Sequence, residues 1–311
     1  MKFGFVFPGQ GSQSVGMFDR LNKDSSIFTE TLKEASEEAK IDIIKMATDG
    51  SVSELNKTVN TQLIMLASGV ASYRLWIDAG GRVPDVMAGH SLGEYPALVS
   101  AGVIDLKSAL TLVIGRANLM QNAVPEGVGG IAAILGLEPS KIEQLCEKFT
   151  VDENRVEAAN YNSPIQTVVA GTRSAVKNVM DAALKNGAKK AIMLPMSVPS
   201  HCTLLNSVIP DFKKILGNTK FLEPKVPVIQ NARLRANQTP EEIKRDLEKQ
   251  LVQPVHWTKT IEIMVHEFEV QSIFEMGPGK VLTGLGKRIS RQNRHVALDD
   301  IEVIKSELVT E

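Results

Sequence analysis

A serine with a glycine two residues away on either side is the feature that most constrains this chain. The pentapeptide Gly89-His90-Ser91-Leu92-Gly93 lies between a short apolar run at 84–88 and an Ala- and Leu-containing stretch at 92–100. This pattern predicts a strand that turns sharply into a helix, with Ser91 at the apex. Glycines are needed there because the backbone is strained and the strand and helix pack closely. Ser91 is therefore a candidate nucleophile, although an ordinary strand-to-helix turn can carry the same pattern.

The composition is that of an ordinary globular protein, with 311 residues, 43% hydrophobic and 23% charged. The formal net charge of −1 argues against a general nucleic-acid-binding protein. The longest apolar stretch, 63–73, is shorter than the roughly 20 residues that a membrane span requires, so it predicts a buried helix and no membrane association. Two cysteines, Cys146 and Cys202, make no disulfide framework, which favours a cytoplasmic location.

The order of the predicted elements changes near residue 125. Before it, short apolar strands alternate with long helices, the pattern of a sheet covered on both faces. After it, the sequence predicts a strand (130–137), a helix (139–149), two strands (155–160 and 167–172), a helix (175–186) and a strand (189–194). The order β-α-β-β-α-β is that of the ferredoxin-like unit. We therefore predict an α/β fold with a large α/β-hydrolase-like domain (1–125 and 196–311) and an inserted small ferredoxin-like domain (126–195).

A nucleophilic serine needs a general base, and the chain has five histidines. His90 precedes the serine in the turn, so we expect its ring to point elsewhere. His295 lies in a basic tail, where a solvated side chain is expected. His201 follows a proline-containing segment, 195–200, and such a segment can hold a loop residue still above a sheet edge. His201 is therefore the first candidate for the base and His256 the second.

Acyl transfer also needs hydrogen-bond donors directed at the tetrahedral oxyanion. The loop 9–13, directly after the first predicted strand, can supply one. A phosphate-binding loop is the alternative, because Gly9-Gln10-Gly11 begins a dinucleotide fingerprint. Ser14 stands where the third glycine of that fingerprint is required, which disfavours the alternative.

Arg116 is the only charged residue between Lys107 and Glu126, and it shares a helix face with apolar residues in the predicted helix 110–120. A guanidinium on an apolar face is costly unless an anion meets it. Two interpretations remain open. Arg116 forms an ion pair with an acidic residue of the protein, or it is a bidentate clamp for a substrate carboxylate.

Seven separate segments, in matching order from residue 3 to about residue 290, together resemble the malonyl-CoA:acyl carrier protein transacylases of bacterial fatty-acid synthesis. The segments are Phe7-Pro8-Gly9-Gln10-Gly11-Ser12-Gln13, Gly89-His90-Ser91-Leu92-Gly93-Glu94-Tyr95, the isolated Arg116, Asn160-Tyr161-Asn162-Ser163-Pro164, Val198-Pro199-Ser200-His201, Gln250-Leu251-Val252-Gln253-Pro254-Val255 and Glu275-Met276-Gly277-Pro278-Gly279-Lys280-Val281-Leu282. Seven motifs in order are far more specific than the serine turn alone.

The resemblance implies a catalytic role for five of the matched residues. Ser91 would be the acylated nucleophile and His201 the base. The backbone N–H groups of Gln10 and Leu92 would form the oxyanion hole. Arg116 would hold the malonyl carboxylate.

The resemblance also implies that a main-chain carbonyl, that of Gln250, orients the histidine in place of an acidic triad residue. Asn160 and Asn162 would lie near the path of the acyl-pantetheine arm. The reaction would be a ping-pong transfer from malonyl-CoA to the phosphopantetheine thiol of acyl carrier protein, with no metal or redox cofactor. We expect the protein to act as a monomer.

A basic segment points to the carrier protein. Between residues 276 and 298 there is no acidic residue, and the basic residues there are Lys280, Lys287, Arg288, Arg291 and Arg294. The resemblance supplies an anionic partner, the acidic acyl carrier protein, and Lys287 and Arg288 are the predicted docking residues. A solvated helix face is the alternative, and the next docking candidates are Lys189, Lys190 and Arg173.

Two other classes of function share some of these features. A serine esterase or thioesterase of the α/β-hydrolase type would share the nucleophile turn and the histidine. It would normally also have an acidic triad residue, and it has no need of an arginine in the acyl pocket. A non-catalytic subunit that docks carrier proteins would lack Ser91 or His201, and both are present. The sequence therefore favours the transacylase.

Overall fold

A computed structural model describes residues 1–21, 26–125, 127–196, 198–236 and 239–310. Its strands are β1 (Phe3–Phe7), β2 (Val86–Gly89), β3 (Gly129–Leu135), β4 (Val156–Ser163), β5 (Gln166–Thr172), β6 (Lys190–Met193), β7 (Val228–Ile229), β8 (Ser272–Glu275) and β9 (Arg294–Ala297). Its helices are α1 (Ser26–Ala39), α2 (Ile43–Asp49), α3 (Val52–Leu55), α4 (Thr58–Asp78), α5 (Glu94–Ser100), α6 (Leu106–Ala123), α7 (Pro139–Phe149), α8 (Arg173–Lys185), α9 (Ile209–Asn218), α10 (Pro240–Gln250), α11 (Trp257–His266), α12 (Val281–Ile289) and α13 (Ile301–Thr310). Short 3₁₀ helices span Ser91–Gly93 and Thr203–Val208.

The larger sheet is parallel, with the strand order β7-β2-β1-β8-β9. Every residue of the central strand β1 is buried, as expected for a strand with helices on both faces. Side chains alternate along it: Phe3, Phe5 and Phe7 join the core with α4. Val6 points the other way, into a second core with α11 and α12. Burial of each such side chain stabilises the fold by about 1.5–3 kcal/mol.

The parallel direction of these strands positions the candidate site. Parallel strands all end at the same edge of a sheet, so the segments that follow them lie side by side. Here those segments are the loop 8–13 after β1, the Ser91 turn after β2 and the pair Gln230-Asn231 after β7. Residues far apart in the chain therefore converge at one edge.

A separate antiparallel sheet is formed by β3 to β6, in the order β4-β5-β3-β6. With α7 and α8, its elements follow the chain order β-α-β-β-α-β. The two helices and the sheet enclose an apolar core of their own, which includes Ile134, Ile142 and Val179. The predicted mixed α/β organisation is confirmed at this level: one parallel sheet and one separate antiparallel sheet. The predicted domain boundary at residue 126 lies outside the described residues.

Two short strands escaped the sequence analysis, and one expectation about them was wrong. β7 has only two residues and β9 four, too few for a clear alternation of apolar and polar positions. His295 lies on β9, is only 5% exposed and has its Nε2 2.9 Å from Oγ of Ser290. The expected solvated side chain is therefore wrong, because pairing of β9 with β8 draws this histidine into the interior.

Two further predictions concern the apolar stretch 63–73 and the two cysteines. The apolar stretch 63–73 lies inside α4, where nearly every one of its residues is buried. In the described part of the chain, none of the helices combines the length and apolar character needed to cross a membrane. Cys146 and Cys202 are both buried and free.

Candidate active site

The turn after β2 holds Ser91 in a strained conformation. Its φ is 53°, a left-handed value that non-glycine residues seldom adopt. A Cβ atom on Gly89 would lie 1.9 Å from the carbonyl oxygen of Gly93, and a Cβ on Gly93 would lie 1.9 Å from the carbonyl oxygen of Phe7. Both glycines are therefore required because backbone approaches backbone with no space for a side chain. The turn presents Ser91 at the start of the segment that becomes α5.

The side chain of Ser91 faces His201. Oγ of Ser91 lies 2.6 Å from Nε2 of His201, although 110 residues separate the two in the chain. Nδ1 of His201 lies 2.7 Å from the main-chain oxygen of Gln250, the last residue of α10. A carbonyl oxygen can only accept a hydrogen bond, so Nδ1 carries the proton and Nε2 presents its lone pair to the serine. This arrangement suits removal of the Ser91 proton.

His201 is neutral at physiological pH in this environment. Burial lowers the pKa of His201 to about 3, and the positive charge of Arg116 contributes further. His201 is 2% exposed and its φ is 61°, so its backbone is also held in a left-handed conformation. The neighbouring thiol of Cys202 is a poor competing nucleophile, because burial raises its pKa to about 12.

Arg116 projects from α6 into the same site and is only 1% exposed. Its Nη1 donates to Oε1 of Gln62 at 2.8 Å, and its Nη2 donates to Oε1 of Gln250 at 3.2 Å. Its guanidinium lies 5.5 Å from the ring centre of Tyr95. Within the described part of the chain its Nε has no hydrogen-bond partner and no carboxylate forms an ion pair with it. The guanidinium is thus held by two neutral amides. Burial lowers the pKa of Arg116, and the nearby Glu94 carboxyl group partly opposes this effect without forming an ion pair with it.

A cavity of about 100 Å³ connects these side chains. Four more of the predicted site residues line it: Gln10, Leu92, Asn160 and Asn162. Gly9 packs so closely on the serine turn that a Cβ there would lie 2.4 Å from the carbonyl oxygen of His90. The loop after β1 therefore lies directly against the nucleophile turn, where its N–H groups can contribute to an oxyanion hole.

The antiparallel sheet supplies the opposite wall of the cavity. Asn160 and Asn162 of β4 are both buried, as are Ile131 of β3 and Val168 of β5. Oδ1 of Asn162 lies 2.8 Å from Nε2 of His90. Because both sheets contribute residues, the site is a narrow space between the parallel sheet and the antiparallel sheet.

A sequence profile of the acyl transferase domain matches residues 4–304. The chain belongs to this family. The malonyl CoA-acyl carrier protein transacylase of Escherichia coli (strain K12) is 46% identical over 288 residues, which cover 93% of each chain. These findings confirm the resemblance that the seven motifs suggested.

Solved structures agree with the sequence comparison. An acyl carrier protein S-malonyltransferase from Vibrio cholerae has a TM-score of 0.94 and 45% identity, and the match covers 99% of this chain and 100% of that one. A malonyl-transacylase in complex with its type II PKS acyl carrier protein has a TM-score of 0.97 and 42% identity, and the match covers both chains completely.

The other histidines of this acyl transferase take different positions. The ring of His90 lines the cavity but faces Asn162 and packs 5.3 Å from the ring of Trp257. The ring of His256, the second candidate for the base, is stacked on Tyr161 at 4.7 Å. Of the described histidines, only His201 is placed within hydrogen-bond distance of Oγ of Ser91.

Three residues of the acyl transferase site escaped the sequence analysis. Gln62 accepts from Arg116, Asn231 accepts from the Ser91 N–H at 2.8 Å, and Glu94 is completely buried beside them. Asn231 follows a short apolar run, 226–229, and a polar pair after such a run is typical of the end of a buried strand. Gln62 offered no comparable signal, because it lies inside a long apolar helix.

The basic residues between 276 and 298 have different surroundings in the fold. Arg294 pairs with Glu307, and Lys280 lies 3.9 Å from Asp299. Lys287 and Arg288 are exposed at the end of α12. Arg288 lines a groove of about 220 Å³ whose other basic residues are Lys189 and Lys190. Arg288 and two of the next docking candidates, although distant in the sequence, therefore line the same groove.

No group of three or more His, Cys, Asp or Glu side chains that could hold a metal ion occurs among the residues that the structure describes.

Proposed function

We propose that this acyl transferase moves a malonyl group from malonyl-CoA to the phosphopantetheine thiol of an acyl carrier protein, through a malonyl ester on Ser91. The relatives named above are malonyl transacylases that share most of their length with this chain, and one is bound to its acyl carrier protein. In the transacylase family that the seven motifs resemble, the reaction belongs to bacterial fatty-acid synthesis. We propose the same role here.

The observation that carries the proposal is the guanidinium of Arg116 beside the Ser91–His201 pair. Arg116 is buried, held by two neutral amides and without an ion-pairing carboxylate among the described residues. A buried cation of this kind is costly until an anion binds it. A malonyl group has a free carboxylate that can form charge-assisted, bidentate hydrogen bonds with a guanidinium. An acetyl group has none.

In the first half-reaction, Nε2 of His201 accepts the Ser91 proton as Oγ attacks the thioester carbonyl carbon of malonyl-CoA. The resulting oxyanion accepts hydrogen bonds from the N–H groups of Gln10 and Leu92. The tetrahedral intermediate collapses, the carbon–sulfur bond breaks, and the proton on His201 passes to the departing CoA thiolate. Malonyl-Ser91 and free CoA are the products.

In the second half-reaction, the thiol of the phosphopantetheine arm gives its proton to Nε2 of His201 and attacks the ester carbonyl of malonyl-Ser91. Collapse of the intermediate returns the proton to Oγ of Ser91 and releases malonyl-carrier protein. Asn160 and Asn162, which line the cavity, are positioned to contact the pantetheine arm. Water must not replace the thiol, and the small volume of the cavity supports this selectivity.

A serine hydrolase is the function that these observations do not favour. Nδ1 of His201 faces a main-chain carbonyl where a hydrolase triad would place a carboxylate. Arg116 also has no role in binding a neutral acyl chain. Both features fit a transferase that selects an acyl group with a negative charge.

We also propose that the carrier protein docks at Lys287 and Arg288, with Lys189 and Lys190 on the same surface. The groove shared by Arg288 and the two lysines is lined on its apolar side by residues that include Ile165, which is 53% exposed. Basic side chains at the rim of an interface speed the encounter with an acidic partner. An exposed apolar side chain among them can pack against that partner.

The finer description of the fold is part of this proposal. The converging loops at one edge of the parallel sheet support an α/β-hydrolase-like large domain (1–125 and 196–311). The order β4-β5-β3-β6 and the two helices support a ferredoxin-like small domain (126–195). Ser91, His201 and Arg116 line one cavity, so a monomer would hold a complete site, and we propose that the protein acts as a monomer. Two free cysteines support a cytoplasmic location.

The proposal is tested by mixing the protein with malonyl-CoA alone and analysing its peptides by mass spectrometry. We expect a malonyl adduct on Ser91 that disappears when holo acyl carrier protein is added, with malonyl-carrier protein formed in equal amount. Apo carrier protein, which lacks the thiol, is the matched control and should leave the adduct intact. Absence of an adduct, or its rapid hydrolysis without a carrier, would overturn the proposal.

A further inference from the structure

The side chain of Gln250 links three parts of the site. Its Nε2 donates to the main-chain oxygen of Ser91 at 2.9 Å and to Oε2 of Glu94 at 2.8 Å. Its Oε1 accepts from Nη2 of Arg116 at 3.2 Å. The oxygen of Ser91 is an acceptor, and so is Oε2 of Glu94, so the amide nitrogen faces them and the amide oxygen faces Arg116. Glu94 thus helps to decide which way the Gln250 amide is turned.

Asn231 makes the matching contacts on the other side of Ser91. Its Oδ1 accepts from the N–H of Ser91 at 2.8 Å, and its Nδ2 donates to the oxygen of Gly89 at 2.7 Å. Its own main-chain N–H donates to Oε2 of Glu94 at 3.2 Å. The N–H and C=O of the strained Ser91 are therefore each held by an amide side chain, and both amide residues bond to the same oxygen atom of Glu94.

Glu94 is suited to this role because it is completely buried at the first turn of α5. Oε1, its second carboxyl oxygen, has no hydrogen-bond partner in the described part of the chain. Burial raises the pKa of Glu94 to about 8, and the hydrogen bonds from Gln250 and Asn231 only partly oppose that effect. Oε2 accepts both hydrogen bonds and Oε1 has no partner, so the site uses Glu94 as a hydrogen-bond acceptor, and its raised pKa favours the uncharged acid.

We propose that Glu94 is a positioning residue for malonyl transfer: through Oε2 it holds Asn231 and Gln250 so that Ser91 keeps its reactive geometry and Arg116 faces the malonyl carboxylate. This inference rests on the proposed function. Glu94 itself touches neither substrate nor the reacting atoms. It acts through the side-chain amide of Gln250 and the main-chain N–H of Asn231.

The test compares Glu94→Gln with Glu94→Asp. Glutamine keeps an acceptor oxygen at the same reach and loses the acid. Aspartate keeps the acid but withdraws its oxygens by about 1.5 Å, one carbon–carbon bond. Single-turnover acylation of Ser91 is measured with malonyl-CoA and with acetyl-CoA, and the folded fraction is checked by circular dichroism. The wild-type protein is measured in parallel.

We expect Glu94→Gln to acylate at close to the wild-type rate and Glu94→Asp to be slower by about 10²-fold with malonyl-CoA, the size of effect that a displacement of about 1 Å can have. The malonyl-to-acetyl ratio of kcat/KM should fall in Glu94→Asp, because acetyl does not use Arg116. A purely structural role would reduce kcat/KM for both substrates by the same factor.

The inference is overturned if Glu94→Gln acylates more slowly than Glu94→Asp, because the ability to ionise would then be the important property. It is also overturned if kcat/KM in Glu94→Asp falls by the same factor for malonyl-CoA and acetyl-CoA. If the aspartate variant does not fold, the glutamine variant still decides: a large loss of rate contradicts the inference. If the proposed function itself is wrong, the wild-type protein will not be acylated by malonyl-CoA, which distinguishes the two outcomes.

Discussion

The main-chain oxygen of Gln250 lies 2.7 Å from Nδ1 of His201. A triad carboxylate at this position would fix the same tautomer but would also add a negative charge beside the imidazole. The carbonyl fixes the tautomer without that charge. Burial therefore lowers the pKa of His201, and only hydrogen bonds to the main chain oppose this effect. The same residue contacts Arg116 through its side chain, so the base and the predicted carboxylate clamp are oriented by one glutamine.

The first prediction concerns the nucleophile. Ser91→Ala should fold normally and form no malonyl adduct, because the contacts that hold this residue use its main chain rather than Oγ. Peptide mass spectrometry after incubation with malonyl-CoA measures this. The control is Cys202→Ala, which should still be acylated on Ser91. An adduct on Cys202 in the Ser91→Ala protein would show that the nucleophile is wrongly assigned.

The second prediction concerns pH. Because the pKa of His201 is lowered to about 3 in the free protein, kcat/KM for malonyl-CoA should show no inflection near pH 6.5. Arg116 is one cause of the lowering, and a bound malonyl carboxylate would neutralise it. The acylation rate at saturating malonyl-CoA should therefore show a higher apparent pKa than kcat/KM does. Acetyl-CoA should show no such difference, and identical profiles for both substrates would contradict the coupling.

The third prediction concerns selectivity. Arg116→Ala should lose malonyl transfer far more than acetyl transfer, because a charge-assisted hydrogen bond in a dry site contributes roughly 1.5–3 kcal/mol. That free energy corresponds to about a 10- to 150-fold fall in the malonyl-to-acetyl ratio of kcat/KM. Acetyl-CoA serves as the internal control for folding. An equal fall for both substrates would assign Arg116 a structural role.

The fourth prediction concerns the carrier protein. Lys287→Glu combined with Arg288→Glu should slow the second half-reaction and flatten its dependence on salt, because rim charges act over roughly 8–10 Å at physiological ionic strength. Acylation by malonyl-CoA should change less. The matched control is Lys213→Glu with Lys214→Glu, two exposed lysines on α9. If the Lys287/Arg288 variant transfers malonyl to the carrier protein at the wild-type rate at low salt, the docking site lies elsewhere.

The fifth prediction concerns stability. The pKa of Glu94 is about 8 in the folded protein, above the ordinary value of 4.5. The folded state therefore binds this proton more tightly than the unfolded state does, and the resulting stabilisation is complete below pH 4.5 and lost as the pH rises through about 8. Glu94→Gln cannot ionise. As the pH rises from 4.5 to about 8, the free energy of unfolding in urea should therefore fall for the wild-type protein relative to Glu94→Gln. If the difference between the two proteins stays constant over this range, burial does not raise the pKa of Glu94.

Local sequence patterns predicted the parts of the fold that depend on neighbouring residues. The glycine spacing around Ser91 predicts a strained turn, and the structure agrees, because a Cβ at Gly89 or Gly93 would lie only 1.9 Å from a main-chain oxygen. The alternation of strands and helices between 127 and 194 predicts the antiparallel sheet, and the helix Pro139–Phe149 begins and ends where the sequence indicated. By contrast, β7 has two residues and no periodicity of its own, so it becomes a strand only by pairing with β2.

The amino-acid sequence by itself determined the serine turn, the isolated Arg116 and the order of motifs that places this chain among the acyl transferases, because each is a property of adjacent residues or of spacing. Only the tertiary structure decided that Oγ of Ser91 lies 2.6 Å from Nε2 of His201 and that Oε2 of Glu94 accepts from the side chain of Gln250 and from the main-chain N–H of Asn231. Those contacts join residues more than 100 positions apart. Asn231 meets the Ser91 turn because the parallel strands β7 and β2 end at the same edge of the sheet. His201 comes from the chain after β6 and Gln250 from the end of α10, and no local pattern records that these segments meet there.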